Sequence, residues 1–146
     1  MNRRRTEVVA GLLLAALAGC GDVTGSRPLV GRHALADVSG RTLPTGADPA
    51  LASAWGFCLG ASLVGGTLEL RADGSFETRD EYLVECGATD DSREMHRAGS
   101  YSLRGDTIEY AIPIPDGSGV SVYRGRVTET SITFPTAANW EYRYRR

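Results

Sequence analysis

The chain has 146 residues, a formal net charge of −2 and three cysteines. That length suits one domain and excludes enzymes that need separate substrate and cofactor domains. With 42% hydrophobic and 23% charged residues it is globular rather than disordered. Its mildly acidic balance gives no electrostatic basis for binding nucleic acid.

Asn2-Arg3-Arg4-Arg5 makes a basic start, and an apolar stretch runs from Val8 to Ala18. The stretch is shorter than the about 20 residues that cross a bilayer, and it reads as the core of an export signal. Leu17-Ala18-Gly19-Cys20 follows. This motif resembles the lipobox of bacterial lipoproteins. The resemblance implies a signal peptide over residues 1–19, cleavage before Cys20 and acylation of its thiol. Small residues ahead of the cut suit a narrow peptidase site, and a thiol is the group that forms the thioether. Several acyl chains anchor stably where one gives only marginal binding. Gly21 rather than an aspartate follows Cys20. The resemblance therefore implies a membrane-anchored protein of the cell envelope, at the outer membrane, facing the periplasm or the cell surface. Residues 20–29, with Gly25, Ser26 and Pro28, read as a tether, and residues 30–146 as the folded domain.

Beyond the tether the pattern has period two between closely spaced turn signals. The first strand is expected near His33–Val38. A long connection, Ser39 to Trp55, follows, with a short helix expected after Asp48-Pro49. Gly66 to Arg71 alternates, and Asp73-Gly74 turns the chain. Phe76, Thr78, Asp80, Tyr82 and Val84 then share one face, opposed by Glu77, Arg79, Glu81 and Glu85 with only Leu83 apolar among them. A loop is expected at Gly87–Ser92. Met95, Arg97, Gly99, Tyr101 and Leu103 line up next, followed by a turn at Gly105-Asp106 and by Ile108, Tyr110, Ile112 and Ile114. Val120–Val127, Ser131–Phe134 and Trp140–Tyr144 complete about eight strands. No segment sustains a helical period. The expected fold is all-β, a small antiparallel up-and-down barrel in which closure removes exposed edges, with a two-sheet sandwich as the alternative.

Cys58 and Cys86 remain once Cys20 is assigned to the anchor. In an exported protein such a pair reads as a disulfide, contributing about 3.5 kcal/mol in the chain-entropy account. A metal or redox pair is the weaker alternative, because the intervening residues contain neither a CxxC motif nor a histidine.

Three stretches together resemble small bacterial lipocalin-like lipoproteins. They are Gly31 to Val38 with Gly40-Arg41-Thr42-Leu43-Pro44, then Gly66-Thr67-Leu68-Glu69-Leu70 with Ala72-Asp73-Gly74-Ser75-Phe76, and Gly99-Ser100-Tyr101-Ser102-Leu103 with Gly105-Asp106-Thr107-Ile108. The resemblance implies a lipocalin-like barrel that binds a small or amphipathic molecule without catalysis.

Catalytic residues are not expected. The histidines are His33 and His96, and no serine sits in a Gly-x-Ser-x-Gly elbow. Asp90, Asp91, Glu94 and His96 crowd one segment but lack the glycine and spacing of a calcium loop, so neither a metal nor a cofactor is expected. The anomaly is charge on an apolar register: Asp80 lies between Phe76 and Tyr82, and Arg97 between Met95 and Gly99. If the two strands form a hairpin about Ala88, these charges come close to opposite one another. They are then either an interior ion pair or a polar patch that orients a ligand, with Tyr82 and Tyr101 beside it. The aromatic set Phe76, Tyr82, Tyr101, Tyr110, Trp140, Tyr142 and Tyr144 reads first as core and second as cavity lining. The rival to a ligand-binding barrel is a structural or protein-interaction module with no cavity.

Overall fold

A computed structural model describes residues 29–46, 60–86, 89–136 and 140–146. Cys20, Cys58 and the helix expected after Asp48 lie outside the described residues. The chain forms β1 (Gly31–Val38), β2 (Arg41–Thr42), β3 (Thr45–Gly46), β4 (Gly60–Leu70), β5 (Ser75–Cys86), β6 (Thr89–Arg104), β7 (Thr107–Pro113), β8 (Val120–Arg126), β9 (Ile132–Pro135) and β10 (Glu141–Arg145). No helix occurs among the described residues.

Every strand pairing is antiparallel, in the order β8-β7-β6-β5-β4-β1-β10-β9, with β2 and β3 as short additions on β1 and β4. The two ends of that order approach each other. Val127 bridges Ile132, and the Arg126 backbone N–H donates to Thr133 Oγ1 at 2.7 Å. Gly125 makes the approach sterically feasible, since a Cβ there would collide with the Thr133 carbonyl. The result is an almost closed up-and-down barrel of eight principal strands, and not a sandwich.

Alternation on β5 falls as its sequence predicts: Phe76, Thr78, Asp80, Tyr82 and Val84 are all buried, and Leu83 is exposed among the outward charges. Three expectations need correction. The loop expected at Gly87–Ser92 is largely strand, because Cys86 pairs with Thr89 and the hairpin runs almost to its tip. The connection after Ser39 holds two short strands, β2 and β3, in its described part. Leu103 is 40% exposed, because it sits at the rim where the lumen ends.

The chain ends of the strands define two barrel ends. Leu29, the turns at residues 71–74 and 105–106, the segment 127–131 and Arg146 share one end. Residues 39–46, Gly60, the paired Cys86 and Thr89, and the 114–119 loop share the other. The half nearer Leu29 is packed with rings. Phe76 and Tyr110 meet edge to face at 5.0 Å, and Phe134 lies 4.7 Å from Tyr110. Leu68, Leu70 and Ile108 fill the space around them, each at most 1% exposed.

Candidate functional site in the barrel interior

The barrel interior brings a charged pair together. Asp80 opposes Met95 and Arg97 opposes Thr78, so the two charges are diagonal rather than directly opposite. Diagonal neighbours on one sheet face lie within reach of a long side chain. Arg97 Nη1 donates to Asp80 Oδ2 at 2.8 Å, and Tyr144 Oη donates to Asp80 Oδ1 at 3.0 Å. The second guanidinium nitrogen, Nη2, points at Met95 Sδ, 3.2 Å away. The Arg97 guanidinium lies over the rings of Phe134 and Tyr142, at 5.4 and 5.5 Å. Tyr82 and Tyr142 share a hydroxyl hydrogen bond at 2.8 Å beside this group.

Glycine makes room for the carboxylate. Gly66 on β4 lies opposite Asp80, and a Cβ there would press on Asp80 Oδ1. An alanine at this position would therefore displace the carboxylate from its partners.

The electrostatics follow from burial. Asp80 is 0% exposed, whereas the Arg97 side chain keeps 17% of its surface. Burial pushes the Asp80 carboxyl up from its usual range, against the opposing pull of Arg97 and the Tyr144 hydroxyl. Burial also works against the charge on Arg97, but Asp80 and the nearby tyrosine oxygens more than offset it, and its pKa rises. Burial raises Tyr82, Tyr142 and Tyr144 as well, so all three hydroxyls stay protonated donors at neutral pH. One polar atom in this region is left over. Thr78 Oγ1 is buried without a hydrogen-bond partner among the described residues, and its residue stands directly opposite Arg97.

Of the residues singled out from sequence, Asp80, Arg97 and Tyr82 come together here. Tyr101 does not join them. It stands at the Leu29 end, where its hydroxyl donates to the Arg71 carbonyl at 2.9 Å and fastens the β4–β5 turn. Two members, Tyr142 and Tyr144, were legible only as inward-facing aromatics. Their role depends on β10 closing the barrel beside β1, which places them across the lumen from Asp80. The Cys58–Cys86 pairing lies outside the described residues.

The titratable groups elsewhere form solvated networks. On the outer face Glu77 accepts from Arg71 and Arg79, each at 2.8 Å, and His96 lies between Glu77 and Glu94. The hydrogen bonds from Arg71 and Arg79 hold the Glu77 carboxyl below its usual range. Arg32, Thr67, Glu69, Glu77 and Arg79 line a surface depression there. His33 is buried and shares a hydrogen bond with the Leu29 carbonyl at 2.9 Å. Among the described residues no group of three His, Cys, Asp or Glu side chains converges as a metal site. No family model, curated protein or solved structure matches the chain.

Proposed function

We propose that this is a lipid-anchored, non-catalytic envelope protein, held through acylated Cys20 at the outer membrane, whose lipocalin-like barrel binds a small amphipathic molecule. The Cys58–Cys86 disulfide, formed after export, staples the long connection to β5 in this reading. The observation that carries the binding proposal is the interior polar group itself. A buried ion pair contributes little to stability compared with apolar side chains of the same volume. This pair also leaves Arg97 partly exposed, with N–H donors in excess of those that reach Asp80, Met95 and Tyr142, next to the unpartnered Thr78 hydroxyl. A ligand whose polar end accepts hydrogen bonds and whose body is apolar suits Arg97, Thr78 and the aromatic walls.

Native mass spectrometry of the protein purified from its own envelope tests this. A co-purifying small molecule, lost in the Asp80→Asn variant while thermal stability is retained, supports the reading. Protein free of any such molecule, with Asp80→Asn changing stability alone, overturns it.

One observation favours a second reading, a structural or protein-interaction module without a cavity. Phe76, Tyr82, Tyr110, Tyr142 and Tyr144 fill the lumen at no more than 1% exposure, as in a solid small barrel. Val120 and Val122, 57% and 50% exposed on the outer face of β8, would then belong to a contact surface.

A further inference from the structure

β5 and β6 run on past the ends of β7 and β8, so the barrel wall is stepped. β6 has 16 residues, yet it pairs with β7 only from Ser100 to Arg104. β7 stops at Pro113, and Pro115 follows two residues later. Proline offers no N–H to a ladder, so the sequence itself ends the pairing there. From Thr89 to Ala98, β6 pairs with β5 on one side and with no strand on the other among the described residues. Alternate main-chain N–H and C=O groups of that stretch therefore face outward along an open edge.

The outer face beside this edge is acidic. Glu81 on β5 stands directly opposite Glu94 on β6, and Glu85 projects from the same face further along β5. Like charges directly opposite one another destabilise an antiparallel pair. Among the described residues Glu81 and Glu85 make no ion pair, and Glu94 meets only His96, at 3.0 Å. The nearby arginines are engaged elsewhere. Arg79 is bound to Glu77 at 2.8 Å, and Arg93 lies on the opposite face, paired with Asp91 at 2.7 Å. Residues 47–59, which join β3 to β4, contain no arginine or lysine. Nearer Leu29 the same outer face is balanced, with Glu69 and Glu77 set among Arg32, Arg71 and Arg79. The uncompensated negative charge thus lies beside the open edge. On the inner face of that edge Met95 is partly buried against the core.

We propose that the Thr89–Ala98 edge of β6 takes an extended basic peptide of a partner protein as an added strand. Main-chain hydrogen bonds to the edge supply affinity, and alternate side chains supply specificity. Lysine or arginine at every second position of the added strand lies on the outer face beside Glu94, with Glu81 one strand further in. The positions between them turn toward Met95, which suits an apolar residue. The same acids reject a second copy of this chain, because pairing two β6 edges would bring two acidic edges together. Docking here goes beyond the proposed ligand site and depends neither on a ligand beside Arg97 nor on the anchor at Cys20.

The probe is an acetylated, amidated hexapeptide that alternates lysine with valine, about the length of an ordinary strand, added to the full chain at low salt. Fluorescence anisotropy of the labelled peptide reads binding, and amide hydrogen exchange locates it. The peptide should bind and slow exchange over Ser92–Ala98. The same peptide with glutamate for lysine should not bind, nor should the lysine peptide with proline at its centre, which cannot complete the ladder. A cross-strand charge contact is worth up to about fivefold, and Glu81→Arg replaces an attraction for the peptide by a repulsion. This variant should weaken binding at least about fivefold, while its melting temperature stays equal or rises because Glu94 gains an opposite charge. Equal binding of the glutamate peptide, undiminished affinity in Glu81→Arg, or slowed exchange elsewhere overturns the site. Binding that survives the central proline reduces it to a cation-attracting surface, and a peptide-free dimer already protected over Ser92–Ala98 gives the edge to a second copy. Either result overturns strand addition by a basic partner.

Discussion

Phe76 and Asp80 point into the barrel from the same face of β5, and both are shielded from water. Around Phe76 the lumen is a ring cluster closed by Tyr110 and Phe134. Around Asp80 it is a hydrogen-bonded group of one guanidinium and three phenols. The first half repays its burial in apolar area and close packing. The second removes two charges from water, which their mutual attraction only partly offsets. A small barrel in need of stability alone would continue the Phe76 chemistry along its whole length. The contrast therefore separates a half that holds the fold from a half whose composition suits recognition.

Substitutions sharpen that separation. Phe76→Ala leaves a cavity beneath Tyr110 and Phe134 and should cost about 4 kcal/mol in chemical denaturation. Arg97→Met leaves Asp80 buried and unpaired and should cost about 3 kcal/mol, with the loss easing at acid pH as Asp80 becomes protonated. Tyr144→Phe removes one donor to Asp80 and should cost about 1.5 kcal/mol. Arg124→Ala breaks an exposed pair with Glu109 and should change stability by at most about 0.5 kcal/mol. If Arg124→Ala proved as damaging as Arg97→Met, burial would not be what distinguishes the interior pair.

The two halves also differ in their response to pH. Asp80 has a folded pKa above its unfolded one. Its contribution to stability is therefore fully present below the unfolded value, near 4, and is lost as pH rises through the folded value. Half-buried Glu77 and exposed Asp73 are shifted the other way, so their contribution is lost as pH falls. Both remain in Asp80→Asn. The stability difference between wild type and Asp80→Asn, followed by denaturation from acid to neutral pH, should then move against the wild type. A difference that stays flat would contradict a raised Asp80.

Much of this contrast could be read from the chain before any coordinates. The two-residue period on β5 identifies Asp80 as an inward charge, because alternation is a local property. Arg97 follows by the same logic, although the turn lies slightly earlier than Ala88 and Asp80 opposes Met95. The participation of Tyr142 and Tyr144 was not legible, since it depends on β10 returning to β1 across the barrel. The start of β4 at Gly60 was obscured for a different reason. Gly60, Gly65 and Gly66 carry no side-chain alternation, and a register shift between Leu63 and Gly65 breaks the period. Thr78 gave no signal either. A threonine on an inward register is ordinary, and only its unpartnered hydroxyl beside Arg97 marks it.

The sharpest discrimination comes from replacing the ion pair as a unit. Asp80→Leu with Arg97→Met removes both charges at similar volume, a change that is neutral or stabilising in comparable buried pairs. Native mass spectrometry of this double variant and the wild type, each purified from its own envelope, reads the outcome directly. If the polar half serves recognition, the wild type carries a small molecule and the double variant is bare, with a melting temperature equal to or above that of the wild type. A double variant that retains the molecule, or a wild type that is equally bare, would contradict it.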